Sequence, residues 1–233
     1  MKISKLLAAT CLVLPMGTAL AASVNLKSEE AQVGYAIGVQ VGSDLKANLE
    51  GQGIKADAAA LAAAIEDVLK GSKLKMSDED MGKAMQTMQR KQMERMTELA
   101  MKNLEKGEKF LDENKKRKGV KVLDSGVQYE VLTKGKGDSP TENDSFVAHY
   151  SGTLIDGNEF DSSFKRGQPA TFAVKGVIKG WQEVVTKMKV GDKWKVYVPS
   201  EMAYGERGAG GVIGPNEVLI FEIEMIEVKK AAK

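Results

Sequence analysis

The sequence predicts an α+β protein: an all-helical N-terminal region with a long connecting helix, then an antiparallel β-sheet wrapped on one short helix. Three observations carry this. From Ser28 to about Lys118 apolar residues return every three to four positions, and after Gly119 they alternate every second position. One short stretch around Trp181 reverts to helical spacing inside the alternating half. A chain of 233 residues has room for one large domain or two small ones.

The first element is a leader. Lys2 and Lys5 precede the apolar run "LLAATCLVLPMGTAL", and Ala19-Leu20-Ala21 has the small-x-small form of a cleavage site. The reading is a signal peptide over 1–21, cut after Ala21. The apolar run is shorter than the ~20 residues a spanning helix needs. Cys11, the sequence's one cysteine, leaves with the leader, so the mature chain has no disulfide, thiolate nucleophile or cysteine metal site. Loss of the two lysines also takes the formal charge from +2 to neutral. A neutral chain lacks the basic footprint of a nucleic-acid partner.

Next come three helices. In the first, Val33, Ile37, Val41, Leu45 and Leu49 form one stripe, with Gly34, Gly38 and Gly42 beside it. Each glycine costs a soluble helix about 1 kcal/mol relative to alanine. Close approach of another helix would explain all three, and a weakly packed helix is the alternative. Asp57 is placed to cap the second helix, which ends near Gly71. Ser77 and Asp80 form a capping signal for the third, which runs without proline to about Lys118, roughly 60 Å at 1.5 Å per residue. A rod of that length reaches between two bodies or packs on another chain. Seven of the twelve methionines lie between Met76 and Met101, as core, dimer seam or an adaptable client surface. The run Lys115–Lys118 complements the negative end of the helix dipole.

The alternating half supplies strands in "GVQYEVLTKGKGDSP", "DSFVAHYSG", "DKWKVYVPS" and "VLIFEIEMIEV", and a helix in "VIKGWQEVVTKM". Its chemistry is notable for what it lacks. His149, the single histidine, has no cysteine to join and reads as a surface strand residue. "GERGAGGVIG" fits no phosphate-binding spacing, precedes a strand, and reads as a flexible loop. Glu222 and Glu224 form a solvated strand face. What remains is a set of aromatics, Tyr150, Phe160, Phe172, Trp181, Tyr204 and Phe221, which form either core or an apolar pocket that strips water from a ligand.

The segments "VAHYSGTLIDGNEFDSS", "VIKGWQEVVTKMKVGDKWKVYVPSEMAYGERG" and "GPNEVLIFEIEMIEV" closely resemble the FKBP-type peptidyl-prolyl isomerases, over about residues 120–229. The helical half before them resembles the macrophage-infectivity-potentiator group of exported bacterial FKBPs. The resemblance implies a cofactor-free isomerase acting on proline-containing unfolded or exported polypeptides and binding macrolides. It also implies a homodimer made through the N-terminal helices. The implied layout is 22–76 for dimerisation, 77–118 for the connecting helix and 119–233 for the FKBP domain. Location would be the periplasm, with outer-membrane or surface attachment left open. By the same resemblance Trp181 is the floor under the proline ring, walled by Tyr150, Phe160, Phe172, Val177, Ile178 and Phe221. The Ile178 N–H and Tyr204 hydroxyl donate to ligand carbonyls, Asp161 faces the twisting amide and Arg166 pairs with it. Val212 and Ile213 lie on a covering loop. Ala209, Gly214 and Ala170 depart from the best-known members, which often carry histidine, proline and a bulkier aromatic there. A non-catalytic holdase chaperone or a surface virulence factor is the alternative.

Overall fold

The computed structural model describes residues 24–231, so the leader predicted over 1–21 lies outside the described residues. Helix α1 spans Glu29–Gly51, α2 Ala58–Leu69 and α3 Asp78–Asn114. Each starts where a side-chain oxygen can take an orphan backbone N–H. Ser28 Oγ accepts from Ala31 N at 3.2 Å, Asp57 Oδ1 from Ala60 N at 2.8 Å, and Ser77 Oγ from Asp80 N at 3.1 Å. Glu29 and Glu30, and Asp78, Glu79 and Asp80, add negative charge to the first turns of α1 and α3.

The chain divides into compact units at Ala56/Asp57. In the first unit α1 has no buried residue, and nothing lies within 4 Å of a Cβ built on Gly34, Gly38 or Gly42.

The second unit contains α2, α3 and the sheet. Its strands are β1 Val120–Val122, β2 Gln128–Thr133, β3 Ser145–Leu154, β4 Glu159–Ser162, β5 Ala170–Ala173, β6 Lys193–Val198 and β7 Leu219–Lys229. All pairings are antiparallel in the order β1-β2-β6-β7-β3-β4, with β5 also on β3. Helix α4, Lys179–Val185, lies against this sheet and buries Trp181, Val184 and Val185. Leu219, Phe221, Ile223 and Met225 all point from β7 into the core, as the two-residue period requires. Burial of each such side chain contributes about 1.5–3 kcal/mol.

The end of α3 belongs to this packing. Asn114 Nδ2 donates to Gln128 Oε1 at 2.9 Å, and Gln128 Nε2 to the Leu111 carbonyl at 2.9 Å. The rings of Phe110 and Tyr197 are 5.9 Å apart. A Cβ on Gly107 would stand 2.8 Å from Val218 Cγ2, so the helix approaches the sheet domain more closely there than alanine allows. Further up the same helix Met85, Met93 and Met101 are exposed.

Two local expectations are corrected. The glycine-rich "GERGAGGVIG" is a hydrogen-bonded hairpin: Ala209 N donates to Ile213 O at 2.9 Å and Ile213 N to Ala209 O at 3.0 Å. His149 is half-buried, stacked on Phe164 at 4.7 Å, with Nδ1 3.0 Å from Ser163 Oγ.

Candidate functional site

Strands β3, β4, β5 and β7 and the start of α4 each send side chains to one cavity of about 400 Å³. It is lined by Tyr150, Phe160, Asp161, Phe172, Gly176, Val177, Ile178, Trp181, Ala203, Tyr204 and Phe221. Trp181 is buried at its base. Its ring meets Tyr150 at 5.4 Å, Phe172 at 5.5 Å and Phe221 at 5.1 Å, all close to edge-on. Such T-shaped contacts set the positive ring edges against negative faces, worth about 0.5–1.5 kcal/mol per pair beyond burial. Phe160 meets Phe221 in the same way at 5.7 Å. A roomier groove of about 620 Å³ lies among Asp124, Ser125, Lys179, Gln182, Glu183 and Lys187, but it has no aromatic wall and mixed charges at its edge.

One charged corner interrupts the apolar lining. Tyr150 Oη donates to Asp161 Oδ2, Arg166 Nη1 to Asp161 Oδ1, and Arg166 Nη2 to Tyr150 Oη at 2.7 Å. Burial pushes the Asp161 carboxyl up, but the bonds from Tyr150 and Arg166 together with the guanidinium charge outweigh it and hold the group below its ordinary value. The Tyr150 hydroxyl is pushed up, first by burial and then by the carboxylate it faces. Asp161 is therefore an anion at neutral pH, committed to two donors. The Tyr150 hydroxyl it accepts from is pushed up and so stays protonated, and the lining offers no other hydroxyl with a base beside it.

Most of the residues expected at the pocket are there. Tyr204 stands at the rim, 43% exposed. Ile178 is the N-cap of α4, where its N–H lies outside the helix's own ladder. Arg166, Val212 and Ile213, expected at the site, do not line the cavity. Arg166 sits behind Tyr150 and Asp161, with its guanidinium 5.5 Å from the Tyr150 ring centre. Ile213 packs on the core, while Val212 is exposed at the hairpin tip. Ala170 packs on the core opposite Ala148.

Sequence reasoning missed the residues that make room or hold position. A Cβ on Gly152 would lie 2.6 Å from the Phe160 ring and 2.9 Å from Phe221, so glycine there lets the two aromatics meet. Ser163 Oγ accepts from Tyr150 N at 2.7 Å and donates to Tyr150 O at 3.1 Å, tying Tyr150 to the segment that carries Asp161. Gly176 and Ala203 line the cavity without filling it. The only sequence signal for Gly152 was a small residue inside an otherwise well-formed strand.

An open aromatic pocket with hydrogen-bond donors at its rim suits a protein that binds an apolar group without covalent chemistry. The comparisons specify the class. Residues 136–226 match the family model described as FKBP-type peptidyl-prolyl cis-trans isomerase, and residues 30–131 match the domain amino terminal to it. The chain is 44% identical to peptidyl-prolyl cis-trans isomerase Mip of Coxiella burnetii, over 92% of this chain and 94% of that one. It is 41% identical to outer membrane protein MIP of Legionella longbeachae, over 98% and 99%. The crystal structure of FkpA from Escherichia coli superposes with a TM-score of 0.67 at 36% identity, covering 89% of this chain and all of that one. The chain belongs to the FKBP-type peptidyl-prolyl cis-trans isomerases, in the Mip and FkpA group, and is an enzyme of that type.

Proposed function

We propose that the protein accelerates prolyl isomerisation in exported polypeptides by desolvating and twisting the X–Pro amide. The observation that carries this is the pocket floor: a buried Trp181 ringed by Tyr150, Phe172 and Phe221, with one ion-paired carboxylate beside it. The barrier to rotation, about 18–20 kcal/mol, comes from amide resonance. Water favours the resonance form because it places charge on oxygen and nitrogen. An apolar cavity removes that support, and every 1.36 kcal/mol gained is about tenfold in rate.

In this reading the proline ring sits on Trp181 between Phe160, Phe172 and Phe221. The Ile178 N–H and the Tyr204 hydroxyl fix the flanking carbonyls, and Asp161, held by Tyr150 and Arg166, faces the amide. Macrolides would occupy the same cavity. The exposed stripe of α1 serves a homodimer, and the methionine face of α3 favours an added hold on unfolded chains. Among the described residues no helix is long and apolar enough to cross a membrane. The predicted leader and the likeness to outer membrane protein MIP of Legionella longbeachae support export, to the periplasm or the outer membrane.

The test is cis-to-trans conversion of a short X-Pro peptide by the purified mature chain, with apolar X expected to be fastest. A rate equal to buffer, together with no macrolide binding, would falsify the reading.

A further inference from the structure

Beside the pocket, α3 grips the hairpin that follows Tyr204. Asn103, only 7% exposed, donates from Nδ2 to the Pro215 carbonyl at 2.8 Å, across 112 residues of sequence. In return Asn216 Nδ2 donates to the Ala100 carbonyl at 3.2 Å. Asn216 N also donates to the Gly205 carbonyl at 2.9 Å, which closes the hairpin at its base. Asn216 has a φ of 54°, the one positive value at a non-glycine residue among the described residues. Asparagine tolerates that region better than most residues, but it is still sparsely populated and persists where neighbours hold it. Gly214 fits the same arrangement, since a Cβ there would stand 3.3 Å from Asn103 Nδ2. The hairpin so anchored opens one residue after Tyr204, a pocket-lining residue, and carries Ile213 onto the core.

We propose that Asn103 and Asn216 are positioning residues, and that α3 sets the place of Tyr204 and the 205–216 hairpin over a bound peptide. The inference rests on the isomerase reading of the cavity. Its physical basis is that the floor is fixed by the sheet and α4, whereas the hairpin base is fixed by two side-chain bonds to a different element. Loosening them leaves Trp181 and Asp161 untouched and moves only the rim. The rim contacts the residue flanking proline, so binding and the preference for apolar X change more than the turning step.

Two variants test this in the full mature chain. Asn103→Ala removes the buried donor. Asn216→Gly removes the other bond while suiting the positive φ, so it folds even where the first does not. Each should raise KM for a Leu-Pro peptide about fivefold, the equilibrium worth of one net hydrogen bond, with kcat changed less than twofold. The ratio of kcat/KM between Leu-Pro and Gly-Pro peptides should shrink. Amide hydrogen exchange across residues 205–213 should speed up in both. Unchanged KM and peptide preference, with or without a lower Tm, overturn the proposal, as does unchanged exchange in the hairpin. An inactive wild type whose hairpin exchange still responds to both variants would sink the isomerase reading and leave the clamp standing.

Discussion

The first helix and the seventh strand carry similar apolar stripes and meet different fates. In β7, Leu219, Phe221, Ile223 and Met225 are no more than 5% exposed; in α1, Val33, Ile37 and Val41 are each more than half exposed. The strand's partners are supplied by its own chain, through β3, β6 and α4. Among the described residues no such partner covers Val33, Ile37 and Val41. A stripe shows that a face is to be covered; only the surrounding fold shows whether one chain is enough.

The largest expected effect separates the two regions outright. Removing residues 24–56 should turn a dimer into a monomer by light scattering while leaving short-peptide isomerisation within about twofold. Refolding of a proline-limited protein should fall much further, because joining two weak sites raises apparent affinity by about 10²–10⁴. A wild type that is monomeric at micromolar concentration would break the comparison, and α1 would then need another explanation.

The site itself is probed next. Asp161→Leu should lower turnover about tenfold, equivalent to about 1.4 kcal/mol in the barrier, a larger effect than its loss of folding stability. Equal activity would show that desolvation and shape alone drive the rate.

Glycines sharpen the contrast. Gly107→Leu must displace Val218 and should cost about 1–3 kcal/mol of unfolding free energy by denaturant titration. A Cβ on Gly38 has no atom within 4 Å among the described residues, so Gly38→Leu should weaken dimerisation without lowering monomer stability. A Gly38 variant that destabilises the monomer would place the stripe inside the single chain.

The smallest effect is electrostatic. Burial raises the Glu217 carboxyl above its ordinary value, with Asp156 adding to the shift and Lys106 opposing it. A raised folded pKa means stability that is present below the ordinary carboxylate range and lost as pH rises through the folded value. Glu217→Gln should therefore raise Tm slightly at pH 7 and not at pH 4. Asp161, with its pKa lowered, has the opposite sign: its contribution is present above the ordinary value and lost as pH falls through the folded one. Asp161→Asn should cost stability at neutral pH and lose that penalty in strong acid. The reverse order for either variant would show that the surroundings assigned to that carboxyl are wrong.

Much of this was readable in the residues because the signals are local. Ser77, Asp57 and Ser28 cap helices by reaching three residues ahead, a distance the sequence displays. β7 announces itself through Leu219, Phe221, Ile223 and Met225, buried at every second position over seven residues. β1, β4 and β5 have only three or four residues each, too few for a period to show. The pocket aromatics were visible as types, but composition and spacing left them equally good as core; resemblance to a family, not periodicity, singled them out. His149 was misread because its partners, Ser163 and Phe164, lie across a turn. The 205–216 hairpin was misread because its bonds join backbone atoms, which glycine-rich composition does not reveal. Asn103 gave no signal at all, since its partner is more than a hundred residues away.

The pairing of β3 with β7 joins Ser145 to Lys229 and Leu154 to Leu219. Pairs so distant along the chain form slowly, because a long loop must close before any contact rewards it. Tyr150 and Phe221 sit on these two strands, so two of the cavity's walls meet only when that pairing forms. An isomerase built this way needs its longest-range strand pairing before its site is complete.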